Sequence, residues 1–421
     1  MEMKRYKLGE IATVLVGGTP STKIDKYWNG SISWLSVKDF CSVNKWVSST
    51  EKTITQDGFD NCPSSMLKKG DLILSARGTV GKIAMADKNM AFNQSCFGLR
   101  AKKDFVTSDF LFYWFLNNQQ IFKGAQQGNV FKSITLDFFE KTNAIIPPLP
   151  IQQKIAAVLS SLDDKIAINK KINAKLEAMA KRLYDYWFVQ FDYPDKNGKP
   201  YKTSGGKMVW NEVLKRKIPE GWEVVEMSSV IKQINTGLNP RDNFILGNGK
   251  IKYITVKNLT EEGHIDFSNC DLVNSEAQKI IHERSQIQKG DILFASICPL
   301  GRCYLIQDSP EDWDINESVF SIRPNIDRIT SEFLYTLLRE AYYVKKMTQK
   351  ATGSIFKGIR INDIEKIEIV LPPKEVINAF SKKTLPIFNY QLTIQKEIQK
   401  LTNLRDRLLP LLMNGQVEVE G

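Results

Sequence analysis

The 421-residue chain carries 58 Lys and Arg against 47 Asp and Glu, a net charge of +11, with 42% hydrophobic residues. That balance excludes a disordered or low-complexity protein and fits two to four soluble domains of ~100–200 residues each. No apolar run approaches the ~18 residues that span a bilayer, and no leader-like apolar stretch follows Met1, so a cytoplasmic protein without membrane attachment is expected. The cationic surplus suits a polyanion, because each Lys or Arg set against a phosphate releases counterions. An anionic membrane is the other polyanion, but no basic amphipathic helix with an aromatic apolar face is present. Cys41, Cys62, Cys96, Cys270, Cys298 and Cys303 are scattered without a C-x-x-C pair, which reads as reduced thiols rather than a metal site.

In chain order, the first half predicts the second. Ser33-Trp34-Leu35-Ser36-Val37-Lys38-Asp39 returns as Lys252-Tyr253-Ile254-Thr255-Val256-Lys257-Asn258, and Lys69-Gly70-Asp71-Leu72-Ile73-Leu74 as Lys289-Gly290-Asp291-Ile292-Leu293-Phe294. Phe92-Asn93-Gln94-Ser95-Cys96-Phe97 matches Ile315-Asn316-Glu317-Ser318-Val319-Phe320, and Pro147-Pro148 matches Pro372-Pro373. Matches that keep their order describe two copies of one unit. Within each copy, short apolar runs behind Gly-Asp turns read as strands. The stretches from Ser108 and Ser331 carry apolar residues at helical spacing behind a Ser N-cap. The globular part of each copy is therefore expected to be α+β.

After each proline pair the pattern becomes a 3-4 alternation. Leu159, Leu162, Ile166, Asn169, Asn173, Leu176, Ala180, Leu183 and Trp187 mark it in the first copy. Thr384, Ile387, Gln391, Ile394, Ile398, Leu401, Arg405, Leu408 and Leu412 mark it in the second. Such alternation predicts a coiled-coil seam, with Asn169, Asn173 and Gln391 as polar positions that fix register. A helix over 151–188 would be about 55–60 Å long at ~1.5 Å per residue. Pro386 should kink or interrupt the second helix. The segment 191–218, rich in Pro, Gly, Lys and Asn, reads as a linker across open surface. The division expected is a module over 1–146, a helix over 147–190, that linker, a module over 219–371, a helix over 372–415 and a tail over 416–421.

Two unlike modules joined by long helices suit two short reads of one duplex, with the helices fixing the separation. Neighbouring reads lie about one DNA turn apart, ~34–36 Å. The Gly-Asp strand, Pro147-Pro148-Leu149-Pro150-Ile151-Gln152-Gln153-Lys154-Ile155, Ile218-Pro219-Glu220-Gly221-Trp222-Glu223 and the duplicated plan together resemble the specificity subunit of type I restriction-modification systems. The second proline pair departs from the pattern, with Lys374-Glu375-Val376-Ile377 in place of the Gln-rich start.

The resemblance implies two target recognition domains separated by two long antiparallel helices forming a coiled coil, with a pseudo-two-fold internal repeat. It implies an asymmetric bipartite double-stranded DNA site, two modification subunits docked mainly on the helices, and restriction subunits that translocate. S-adenosylmethionine, ATP and Mg2+ would then act on those partners, with no cofactor in this chain. A modification-only system, a catalytic nuclease or methyltransferase, and a coiled-coil scaffold that never meets DNA are the alternatives.

Catalytic signatures are missing from the sequence. No Asn/Asp-Pro-Pro-aromatic run and no G-x-x-x-x-G-K-[ST] loop occurs, and His264 and His282 both fall in the second copy. Candidate contacts are side chains that reach bases or phosphates from loops. Thr19, Ser21 and Lys23 form one such loop, with Asn239 and Arg241 as its counterpart. Ser36 and Lys38, with Thr255 and Lys257, sit at strand ends. Arg77, Thr79 and Lys82, with Arg302, occupy hairpin turns that could cradle phosphate. Asn129 and Lys132, with Ser354 and Lys357, form a repeated Gly-x loop.

Overall fold

The structure, a computed structural model, describes residues 3–40, 45–124, 134–353, 357–417 and 419. The chain divides into two compact units, Met1–Lys170 with Lys396–Gly421 and Lys171–Gln395. Each unit therefore takes one globular module together with a stretch of both long helices.

In the first unit a five-stranded sheet runs in the order Ala12–Val16, Cys96–Ala101, Leu72–Ser75, Ile83–Ala86, Trp46–Val47. Leu72–Ser75 is buried on both faces because its side chains alternate between two cores. Leu72 and Leu74 pack toward helix Ser108–Asn117 and the start of the first long helix, whereas Ile73 meets Leu35, Phe40 and Phe92. A second sheet orders Lys52–Ile54, Trp28–Leu35 and Ala91–Phe92, the last pair parallel.

The second unit repeats the plan. Ile231–Thr236, Val319–Pro324, Ile292–Ala295 and Cys303–Leu305 form one sheet, and Asp271–Val273, Ile251–Ile254 and Trp313–Ile315 the other. Ile292 and Phe294 again face the helices while Leu293 and Ala295 face the opposite core. The Gly-Asp turn before each central strand also has one purpose. Asp71 receives the Arg100 guanidinium at 2.6 Å, and buried Asp291 receives Arg323 at 2.8 Å. The helix behind each sheet is capped by Thr107 and Thr330, each one residue ahead of the serine expected there.

The long helices span Leu149–Tyr184 and Lys374–Met413. Every seam position predicted from the 3-4 alternation is buried or half-buried. Within the first unit Asp163 meets Arg405 at 2.8 Å and Lys165 meets Glu397 at 2.8 Å. Within the second, Gln391 Nε2 donates to the Asn173 carbonyl at 3.4 Å, and Tyr184 packs on Phe380. Partner numbers rise on one helix as they fall on the other, so the two run antiparallel in each unit.

Two expectations need correction. Of the kink or interruption expected at Pro386, the interruption is absent, since the helix continues from Lys374 to Met413. The ring faces solvent, so the Lys382 carbonyl left without its usual partner is on the hydrated side, and buried Phe380, Thr384 and Phe388 hold the helix around it. The segment 191–218 is not an open linker. Phe191, Tyr193 and Ile218 are buried with Trp222 in the core of the second unit, and Met208–Asn211 pairs with Arg216–Pro219 as a hairpin. Asp192 accepts from the Thr203 hydroxyl at 2.6 Å and its N–H at 2.7 Å, bonds that hold its carboxyl below the ordinary value. Aromatic burial in this stretch outweighs its turn-rich composition. No helix among the described residues is long and apolar enough to cross a membrane.

Candidate nucleic-acid interface

Most of the described candidates gather around one turn in each module. In the first, the Asn93 N–H donates to the Leu35 carbonyl at 2.9 Å, just before Ser36. Gly18 N–H reaches the Phe92 carbonyl at 2.9 Å, which brings the 17–23 loop to the same turn. Ala76 N–H bonds the Ser95 carbonyl at 2.8 Å and brings in the hairpin that carries Arg77, Thr79 and Lys82.

The second module repeats these bonds. Asn316 N–H reaches the Ile254 carbonyl at 2.8 Å, Gly237 N–H the Asn316 carbonyl at 3.2 Å, and Ser296 N–H the Ser318 carbonyl at 3.0 Å. Gly237 is required there, since a Cβ would stand 1.7 Å from the Ile315 carbonyl oxygen. An aromatic donor ties each loop down. Trp34 Nε1 donates to the Gly18 carbonyl at 3.0 Å, and the Tyr253 hydroxyl to the Leu238 carbonyl at 2.6 Å. Burial pushes that Tyr253 hydroxyl well above its ordinary value, so it stays protonated and a donor.

The strand-end candidates have one geometry. Ser36 donates its N–H and hydroxyl to Asp39 at 2.7 and 2.8 Å, and Thr255 donates the same groups to Asn258 at 2.9 and 3.0 Å. Both hydroxyls are thus committed to a local turn, which leaves Lys38 and Lys257 exposed at matching positions. Lys23, Arg77, Lys82, Arg241 and Lys357 are likewise exposed, with no ion pair among the described residues. Thr19 donates its hydroxyl to Gln94. Ser21 is exposed, and its carbonyl accepts from Trp28 Nε1 at 3.1 Å. The Thr79 carbonyl accepts from Ser75. The Asn239 carbonyl accepts from Asn243 Nδ2 at 3.0 Å.

Arg302 differs from the rest. It is half-buried and paired with Glu261 at 3.3 Å, so its charge is already engaged. The Lys357 carbonyl accepts from Cys298 N–H at 2.8 Å, beside the same hairpin. Asn129, Lys132 and Ser354 lie outside the described residues.

Sequence reasoning missed the hub itself. Asn93 and Asn316 each accept their own turn's Ser95 or Ser318 N–H at 3.1 Å, and this exposes Gln94 and Glu317 at the tips. The signal was present as a repeated hexapeptide but was used only to find the duplication. A Gln offers both donor and acceptor to a base edge, whereas a Glu only accepts, so the two tips have different hydrogen-bond preferences.

Comparison with known proteins identifies the family. A family model described as the type I restriction modification DNA specificity domain matches residues 1–178 and again 219–403. The chain is 30% identical over 418 residues to the type I restriction enzyme MjaIX specificity subunit of Methanocaldococcus jannaschii, covering 98% of this chain and 93% of that one. It is 26% identical over 411 residues to the HindI specificity subunit of Haemophilus influenzae, covering 83% and 87%. The crystal structure of a type I restriction-modification S subunit from M. genitalium has the same fold, with a TM-score of 0.57 at 16% identity over 98% of this chain and 96% of that one. The doubled family match falls on the two copies that the sequence and the sheets show, and the chain belongs to the family of type I restriction-modification specificity subunits.

Proposed function

We propose that this chain is the non-catalytic, sequence-reading subunit of a type I complex, and that each module reads one half of an asymmetric bipartite site in duplex DNA. The observation that carries this reading is the repeated convergence of three loops on the Asn93 and Asn316 turns. Lysines and arginines that, Arg302 aside, make no ion pair among the described residues stand on the loops around two differing tips, Gln94 and Glu317. Exposed cations set the phosphate register and the tips address base edges. Because the tips differ, the half-sites differ.

The helices hold the spacing between the reads and dock two modification subunits, which carry S-adenosylmethionine. Restriction subunits bring ATP and Mg2+. Adenine methylation needs the base turned out of the stack, so this chain holds the duplex while its neighbours extract the base. The complex works in the cytoplasm.

The test is base-resolution adenine methylation of the source strain with and without the gene. Loss of one bipartite, asymmetric motif on deletion is the expected result. An unchanged methylome, together with salt-insensitive DNA binding by the purified chain and its partner, would overturn the reading in favour of a scaffold. A lost motif without any restriction of unmodified DNA identifies a modification-only system.

A further inference from the structure

The Asn316 turn is held on both flanks, and the residue it presents is an acid. Val319 N–H closes the turn on the Asn316 carbonyl at 3.2 Å, and Ser318 N–H donates to Asn316 Oδ1 at 3.1 Å. Ser296 donates its N–H and its hydroxyl to the Ser318 carbonyl at 3.0 and 2.7 Å. On the other flank, fully buried Asp314 accepts from Ile315 N–H at 2.8 Å, and His282 Nδ1 lies 3.1 Å from its second oxygen. The backbone on either side of Glu317 is therefore fixed, while the Glu317 side chain is exposed.

Glu317 stands among cations without pairing to one. The loops bonded to this turn carry Arg241 and Lys257, and Arg284 Nε donates to the Thr236 hydroxyl at 3.0 Å, next to Gly237. None of these three cations makes an ion pair among the described residues, and no described group donates to the Glu317 carboxylate. In the first module, by contrast, the Thr19 hydroxyl donates to the tip residue Gln94. The Glu317 charge does register nearby. Burial first, and Glu317 after it, raise the Tyr253 hydroxyl, which donates to the Leu238 carbonyl. The carboxylate is thus within electrostatic reach of the 237–241 loop that Tyr253 ties down.

A carboxylate on a surface that receives a polyanion repels the phosphates and lowers affinity for duplex DNA in general. It gains only where a base edge presents a donor. In the major groove cytosine presents its N4 amino group alone, whereas adenine sets N6 beside the N7 acceptor. Guanine presents two acceptors there, and thymine one acceptor and a methyl group. The minor groove presents acceptors at every pair, with guanine N2 the sole donor. Cytosine met from the major groove is the base that offers a donor and no acceptor.

We propose that Glu317 is a specificity-determining residue whose carboxylate accepts from the N4 amino group of one cytosine, in the half-site read by the second module. This rests on the reading above that the module reads a half-site. The same charge excludes guanine and thymine at that position through repulsion from their acceptors. Discrimination therefore comes from rejection as well as from the bond gained.

The experiment is a binding selection on randomised duplexes, with the full-length chain assembled with its modification subunits. Wild type should require cytosine at one position of one half-site, by at least about tenfold over each other base. Glu317→Gln should lose that requirement and shift it toward adenine, because an amide meets N6 and N7 together. The same variant should bind duplex lacking the motif about two- to fivefold more tightly, since a repelling charge is gone. The other half-site, read in the same selection, should be unaltered and so reports that the variant is folded. A motif unchanged in Glu317→Gln, a shift at a position that is not cytosine in wild type, or an even weakening of all sequences would overturn the proposal and leave the assigned function standing. A wild type that selects no motif would remove that function, and this proposal with it.

Discussion

The two units have one backbone plan and different ways of fastening their globular part to the helices. In the first unit Asp163 is buried between the Tyr113 hydroxyl at 2.7 Å and Arg405 at 2.8 Å, one partner from the module and one from the second helix. Lys45, itself buried, joins the cluster through Asp109 at 2.7 Å and the Ser160 hydroxyl at 2.7 Å. In the second unit the acid is again on the first long helix, but the cation comes from the module instead of the second helix. The module supplies Arg339, whose guanidinium holds Glu177 of the first helix, the Tyr335 hydroxyl at 2.7 Å and the Glu261 carbonyl at 2.7 Å. Apart from the Trp46–Val47 edge strand, sheet order, the Gly-Asp turn and the threonine caps are the same in both units. The clamp has been rebuilt with its cation moved from the second helix to the module. What has to be kept is the shape of the module and its attachment to the helices, not the residues that make the attachment.

Breaking the clamps should show which unit depends on its clamp more. Arg405→Ala leaves the Asp163 carboxylate buried with only the tyrosine hydroxyl, and the cost of such an uncompensated charge is about 3 kcal/mol. Arg339→Ala should cost less, about 1–2 kcal/mol, because Glu177 is 28% exposed and water can reach the carboxylate left behind. Guanidinium unfolding of the two variants checks the order. Equal losses, or a larger loss at Arg339, would show that burial of the remaining carboxylate does not decide the effect.

At the recognition tips the comparison sharpens into base preference. Gln94→Ala should relax the sequence requirement in one half-site and Glu317→Ala in the other, each by about 1–3 kcal/mol of discrimination at one base pair. Binding selections on randomised duplexes read this directly. If either variant alters both half-sites, or weakens all sequences evenly, the tip is not reading a base.

The parts legible in the sequence were those written twice or written with a period. The duplicated strands, the 3-4 seam and the Gly-Asp turns depend on local pattern, and the structure has all of them. The departure at the second proline pair was legible too, and its physical meaning is now visible. Gln152 is fully buried, accepts from Thr107 N–H at 3.0 Å, and donates to the Phe105 and Pro147 carbonyls at 2.8 and 2.9 Å. Ile377 holds the corresponding place as a core residue, and the Thr330–Ser381 hydroxyl contact at 2.6 Å performs the tie instead.

The clamps and the hub were not legible, because they join residues far apart in the chain, such as Asp163 with Arg405. The 191–218 hairpin was misread for another reason. Its Pro, Gly and Lys content signals a loop, and only the placement of Phe191, Tyr193, Ile218 and Trp222 around one core makes it a folded element.

The smallest effect concerns His264, one of two histidines that both fall in the second unit. His264 is largely buried against Gln395 of the second helix, and burial lowers its pKa. Glu262 and the bond to Gly263 work in the other direction, while Arg339 adds to the lowering. A base with a depressed folded pKa binds its proton more readily when unfolded. Its neutral form therefore contributes stability in full above the ordinary histidine value, ~6.5, and that contribution is lost as pH falls below it. Asp314 is raised by burial and so gains its proton early, which runs against this trend. For that reason the difference between wild type and His264→Gln is the quantity to follow. Denaturant midpoints should converge or cross between about pH 7.5 and pH 5.5, with wild type losing more. Parallel curves would mean that the ring is solvated enough to protonate in place, and acid would then not distinguish the second unit from the first.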